Sequence, residues 1–174
     1  KMMSPEPPKI IRETLDKLKF RHLKLVVFLL DKKQVQHAAT LYFPGNEYIF
    51  TRCYEPRNRS AQMSPEGKTS LVAEIPFSDH DTVSGMSEEE LVTRTKNDLL
   101  STKLIHDHEI LGNCVFSIPF AYPVLKNGYE SEYLEINNWL KQIDNLYISG
   151  RNGRFEYSWV HNMMRWAHDI VEKI

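Results

Sequence analysis

At 174 residues the chain has the length of one domain and enough material to bury a real core. Its 22 Lys and Arg stand against 23 Asp and Glu, a net charge of -1, which excludes the broad basic surface of a general polyanion binder and confines any anion site to a local cluster. Cys53 and Cys114 are too few for a disulfide framework and lack metal-ligand spacing, so they read as free thiols in a reducing compartment.

The longest apolar run, Leu25 to Leu30, is far short of the roughly 20 residues a membrane span needs. The opening KMMSPEPPK has neither a secretory apolar core nor a transit-peptide composition, and it reads as a chain entered partway along a longer protein. The expected compartment is the cytoplasm, with attachment to the membrane periphery as a variant of it.

Pro7 and Pro8 suit the first turn of a helix, and Ile11, Leu15 and Leu18 share one face, so a first helix is expected to about Lys19. The dense run Leu23 to Leu30 suits a central strand. Thr40 to Phe43 and Tyr48 to Tyr54, separated by Pro44, Gly45 and Asn46, read as a hairpin. A polar loop from Pro56 leads to a strand over Ser70 to Phe77. Ser87 with Glu90 three residues on, inside a triple-Glu first turn, is a capping box that starts a helix reaching about Thr102, with Leu91, Val92, Leu99 and Leu100 inward.

A strand over Glu109 to Phe120 follows, then a Lys126-Asn127-Gly128 turn and an amphipathic helix of about three turns from Tyr129. Leu146 to Ser149 is expected as a short buried strand. In the last helix Trp159, Met163, Trp166 and Ile170 form one stripe, and Val160, Met164, Ala167 and Val171 the next. Together they cover more than half the circumference, so that helix should bury itself against something large. Strands reached by hairpins as well as helices imply an α+β fold, a mixed and largely antiparallel sheet backed by helices.

The chemistry-bearing stretch is NLYISGRNGRFEYSWVHN. Gly150 allows a sharp turn at the end of the preceding extended segment, and Gly153 offers a second place for positive φ or close backbone approach. The helix starting near Ser158 or Trp159 brings free N–H groups and partial positive charge to the same spot, and Arg151 and Arg154 add charges that fit phosphate oxygens. A plain strand-to-helix turn with solvated arginines has about equal weight on spacing alone, because GxxG matches neither established phosphate-binding pattern.

The segment YPVLKNGYESEYLEINNWLKQIDNLYISGRNGRFEY, Tyr122 to Tyr157, resembles the carboxyl-terminal part of FAD-dependent proteins of the amine oxidase superfamily, above all the protoporphyrinogen-oxidase-like and UDP-galactopyranose-mutase-like branches. Upstream, HLKLVVFLLD, a hairpin carrying YFP, PEGKTSLVAEI and SEEEL follow in the order of that family's substrate domain.

The resemblance implies a substrate-domain region over residues 1–142 and, over 143–174, a strand-turn-helix belonging to the FAD-binding domain. Gly150, Arg151, Asn152 and Gly153 would lie along the FAD pyrophosphate and ribityl chain. The backbone at Trp159 and Val160 would face the flavin ring, and Tyr122 and Tyr157 would line the substrate pocket. Where the family reads RYNNMDH this chain reads EYSWVHN, so backbone contacts carry over while the polar pair and acidic residue that follow the Tyr in the family are not matched. The family's amino-terminal GxGxxG is absent from this sequence, which implies a missing FAD-binding half of the same protein as partner.

The implied activity is that of the substrate-pocket half of an FAD-dependent oxidoreductase acting on a small molecule. The alternatives are a flavin-dependent UDP-sugar mutase of surface polysaccharide synthesis, with a sugar-nucleotide substrate, and a non-catalytic module that binds a partner, or itself, through the apolar last helix. Nucleic acid is not an expected partner, and no metal is expected. His106 to Glu109 reads as a solvated turn, His161 as a partly buried packing residue, and Arg52, Arg57 and Arg59 as a surface charge cluster.

Overall fold

In the computed structural model, which describes residues 4–174, Pro8 caps α1 (Lys9–Leu15) and the chain enters β1 (Phe20–Leu30) after a short turn. The helix stops before the expected Lys19 because the carbonyl of Lys19 is taken by the amide of Val124 at 2.8 Å, a strand-type partner in place of a helical one. Residues 1–3 of the opening segment lie outside the described residues.

The hairpin forms from β2 (Leu41–Tyr42) and β3 (Arg52–Tyr54), paired antiparallel with Leu41 opposite Cys53 and Tyr42 opposite Arg52. It is shorter than expected. Tyr48 and Phe50 leave the strand to build an aromatic cluster with Phe43, with centroids 4.9 to 5.5 Å apart, and the amide of Ile49 turns to the Asp98 carboxylate at 2.8 Å.

Next come β4 (Thr69–Phe77), α2 (Glu88–Ser101), β5 (Ile110–Pro123), α3 (Tyr129–Leu140), a single helical turn α4 (Gly150–Gly153), and α5 (Val160–Val171). The five strands form one antiparallel sheet in the order β2-β3-β4-β1-β5, an α+β arrangement as expected.

The sequence pattern explains the core. In the β1–β4 register Val26 faces Ala73 and Phe28 faces Leu71, so alternate residues put one apolar face under α2. Val26, Phe28, Leu30, Leu71, Ala73, Ile75, Leu91 and Leu99 are all buried there, and burying each large side chain is worth about 1.5–3 kcal/mol. The capping box of α2 is present in full, Ser87 receiving the Glu90 amide and Glu90 receiving the Ser87 amide. Leu91 and Leu99 are buried and Val92 and Leu100 half-buried, as the periodicity requires.

The chain divides into two compact units, His22–Pro119 and a second one joining the residues up to Arg21 with Phe120–Ile174. The first holds nearly all of the sheet and α2. In the second, α1 packs on α3 through buried Ile11, Thr14 and Ile136, and Phe155 is buried edge-on against Phe20 and beside Tyr129.

Two expectations about the carboxyl-terminal segment are corrected. Leu146 to Ser149 is not a strand: it runs as irregular chain, with no sheet neighbour among the described residues to accept its hydrogen bonds. Nor is α5 buried. No residue of it is fully covered, and Val160, Met164 and Val171 are 67–72% exposed. Among the described residues no helix is long and apolar enough to cross a membrane.

Candidate functional site

The GRNG stretch folds as the tight turn its glycines permit. Ser149 is extended at φ -142°, and Gly150 then swings to φ +75°, a left-handed value that a Cβ would oppose. Gly153 serves by close approach instead of by positive φ, since a Cβ there would stand 3.2 Å from the Ile148 side chain. The amides of Arg154, Phe155 and Glu156 close the turn onto the carbonyls of Gly150, Asn152 and Arg151 at 3.1–3.2 Å. Phe155, itself at φ 48° and 2% exposed, anchors the turn's exit.

The two arginines of the motif go to different partners. Arg151 donates from Nη2 to the Ser158 carbonyl at 3.2 Å, and its guanidinium lies 5.4 Å over the Tyr122 ring. The Tyr122 and Tyr157 rings are 6.3 Å apart at a tilt of 31°, so the structure brings together three of the residues the sequence singled out. Asn152 donates from Nδ2 to the Phe120 carbonyl at 2.7 Å.

Arg154 instead lies 4.1 Å over Trp166 with its Nε 3.5 Å from Glu156. That Nε is buried and has no hydrogen-bond partner. It sits in a cleft of about 400 Å³ lined by Tyr133, Ile148, Glu156, Trp166 and Ile170. Burial pushes the Tyr133 hydroxyl above its ordinary pKa and the Glu156 charge adds to this, while the Arg154 charge works against it.

Past Tyr157 (56% exposed) the chain buries Ser158 and exposes Trp159 at 75% and Val160 at 67%. Trp159 is the N-cap of α5 and no side chain caps the helix. The opening amides and the partial positive charge they carry are thus left for an external acceptor or water. The junction thus combines a turn with close backbone approach, one guanidinium on an aromatic platform, and an uncapped helix start beside apolar surface.

Outside this junction the structure absorbs the other candidates. Arg52 pairs with Glu74 at 2.6 Å, Arg57 caps the carbonyls of Lys33 and Lys68, and Arg59 covers Tyr54. His106 to Glu109 is a capped 3-10 turn, as expected. His161 is exposed, against the expected packing role, because the helix face that carries it is not covered. Ligand atoms, one each from His168, Asp169 and Glu172, lie within 4.8 Å of one another at the exposed carboxyl end of α5. Cys53 is buried, which together with the Glu74 charge pushes its thiol well above the ordinary range, and Cys114 is exposed.

Glu55 escaped the sequence reading. It is fully buried and accepts from the amides of Val35 and Gln36, from the Thr69 hydroxyl at 2.6 Å and from Asn58. Its partners Val35, Gln36 and Thr69 lie 14 to 20 residues away in sequence, so no local pattern announces it.

No protein-family model matches the chain, and no curated protein does. Solved structures do. A reduced UDP-galactopyranose mutase superposes with a TM-score of 0.73 at 20% identity over 83% of this chain and 31% of its own. A putative protoporphyrinogen oxidase from Exiguobacterium sp. 255-15 superposes at 0.65 and 17% identity, over 80% of this chain and 32% of its own. The fold is therefore that of a region of these two proteins. The chain spans about a third of the length of either.

Proposed function

We propose that this chain is the substrate-pocket and flavin-covering portion of an FAD-dependent enzyme, and that its first function is oxidation of a small molecule. The observation that carries the reading is the junction at Gly150 to Val160, where a left-handed glycine, the Arg151–Tyr122 stack and an uncapped helix start converge beside surface the chain leaves bare. In this reading Gly150, Arg151 and Gly153 would hold the pyrophosphate, the Arg151 charge would answer its phosphate oxygens, and the amides at Trp159 and Val160 would be offered to the negative charge a flavin ring gains on reduction. The flavin, when bound, supplies the hydride acceptor. Tyr122 and Tyr157 present their phenols to substrate. The protein's other FAD-binding half would cover α5 and give Leu146 to Ser149 its strand neighbours, and the whole would work in the cytoplasm.

The test is made in the full-length protein. Arg151→Ala is expected to weaken flavin retention by about 1.5–3 kcal/mol, the worth of a charge-assisted hydrogen bond, read as flavin bound per chain after gel filtration. Undiminished flavin content overturns the assignment.

A second reading is a flavin-dependent mutase of a sugar nucleotide, which the pair of phenols beside a guanidinium favours because such a set suits diphosphate oxygens. Activity that requires prior flavin reduction and is blocked by UDP would select the mutase. A third, partner binding or self-association without catalysis, is favoured by the bare face of α5. Static light scattering of the 174-residue chain with and without FAD tests it, a monomer at all concentrations counting against self-association.

A further inference from the structure

Phe120 is a bulky residue held at φ 53°, a left-handed value that its Cβ disfavours and that is an outlier inside a strand such as β5. Something must hold it there. The Asn152 side chain does so from 32 residues away, donating to the Phe120 carbonyl at 2.7 Å. The Phe120 ring adds an edge-to-face contact with Phe20 at 5.5 Å, and Phe20 in turn meets Phe155 at 5.2 Å, at the exit of the very turn that carries Asn152.

A left-handed residue inside a strand re-aims everything after it, as a bulge does. Two residues on stands Tyr122, its ring 6.3 Å from Tyr157 and beneath the Arg151 guanidinium. Where Tyr122 points therefore depends on the backbone at Phe120. The chemistry required of residue 152 is a donor of short reach: an amide pairs with a carbonyl, whereas an ionised Asp of the same shape offers only acceptors.

We infer that Asn152 is a positioning residue, whose side chain holds the left-handed turn at Phe120 and so seats Tyr122 against Tyr157, instead of reaching the cofactor. The catalytic weight of that seating rests on the flavoenzyme reading, whereas the hydrogen bond and its effect on Tyr122 stand without it.

The test is a double-mutant cycle in the full-length protein labelled with 3-fluorotyrosine, the Tyr122 resonance being assigned by its loss in Tyr122→Phe. Asn152→Ala and Asn152→Asp are each expected to shift the Tyr122 resonance and to lower the folding equilibrium constant by about twofold to tenfold, the range of one hydrogen bond, and Asn152→Ala to do so with flavin content unchanged. In a Phe120→Gly background the carbonyl of residue 120 still accepts, so Asn152→Ala should cost about the same twofold to tenfold, but positive φ is free of cost there and the Tyr122 resonance should move less than in the Phe120 chain. Phe120→Asn, which tolerates the same region, is the second background should the glycine variant not fold. A Tyr122 resonance that Asn152→Ala leaves unmoved overturns the inference, as does an equal shift in both backgrounds. Flavin lost with Asn152→Ala, whichever residue stands at 120, makes the side chain a cofactor contact and also overturns it. A colourless wild type would defeat the flavoenzyme reading and leave the cycle fully readable.

Discussion

The two units of the chain treat their apolar residues differently. In His22–Pro119 the Leu, Val and Phe of β1 and β4 alternate against α2, and the resulting core is closed, with Val26, Phe28, Leu30 and Leu99 at zero exposure. In the other unit the apolar residues of α5 are left outside: Trp159 at its N-cap and Val160, Met164 and Val171 are two-thirds exposed or more, and α5 has no buried residue. Two adjacent apolar stripes are more than a surface helix needs, and here neither is fully covered. The contrast separates residues that close a core from residues that do not.

Four substitutions sharpen or break that contrast. Phe28→Ala, at the centre of the closed core, is expected to cost about 3–5 kcal/mol in urea unfolding followed by circular dichroism, and a cost below about 1 would mean the core is not the folding unit it looks like. Glu55→Ala strands the Val35 and Gln36 amides and the Thr69 hydroxyl, for a loss of about 1–3 kcal/mol; equal stability would show water replacing the carboxylate.

Ser87→Ala, which removes one side of the α2 capping box, should cost about 1 kcal/mol by the same measurement. At the other extreme Met164→Ser, on the bare face of α5, is expected to move the stability of this chain by no more than about 0.5 kcal/mol. A larger drop would mean that the face is covered after all.

Acid titration adds a smaller test within the closed unit. Burial works to raise the Glu109 pKa, but the Lys32 ammonium at 2.8 Å and the His106 amide outweigh it and hold the carboxyl below its ordinary value of 4.5. A depressed acid stabilises the fold above its unfolded pKa, and that contribution is lost as pH falls through the folded value. Glu109→Gln should therefore be less stable than wild type near neutral pH, with the gap narrowing below pH 4.5. A gap that stays constant with pH would remove the ion pair from the account.

What could be read from the residues was what is decided locally. Ser87 and Glu90 are three residues apart and satisfy each other, so α2 was legible to within a residue, and the dense apolar run Leu23 to Leu30 announced β1. The turn at Gly150 was legible for the same reason. The left-handed backbone of Phe120 was not, because its support comes from Asn152 and Phe20, far away in sequence. Tyr48 to Phe50 looked like strand because β-propensity rewards aromatics, and tertiary packing took them into a cluster instead. Leu146 to Ser149 has the composition of a strand without the neighbours that would make it one.

One consequence follows from the indole at the head of α5. Of the chain's three tryptophans, Trp159 stands 75% in water while Trp166 lies beneath a guanidinium. Its emission should be long in wavelength and open to iodide, and whatever settles on that end of the helix will shift it to the blue or darken it. The surface the chain leaves uncovered thus carries its own optical gauge of arrival.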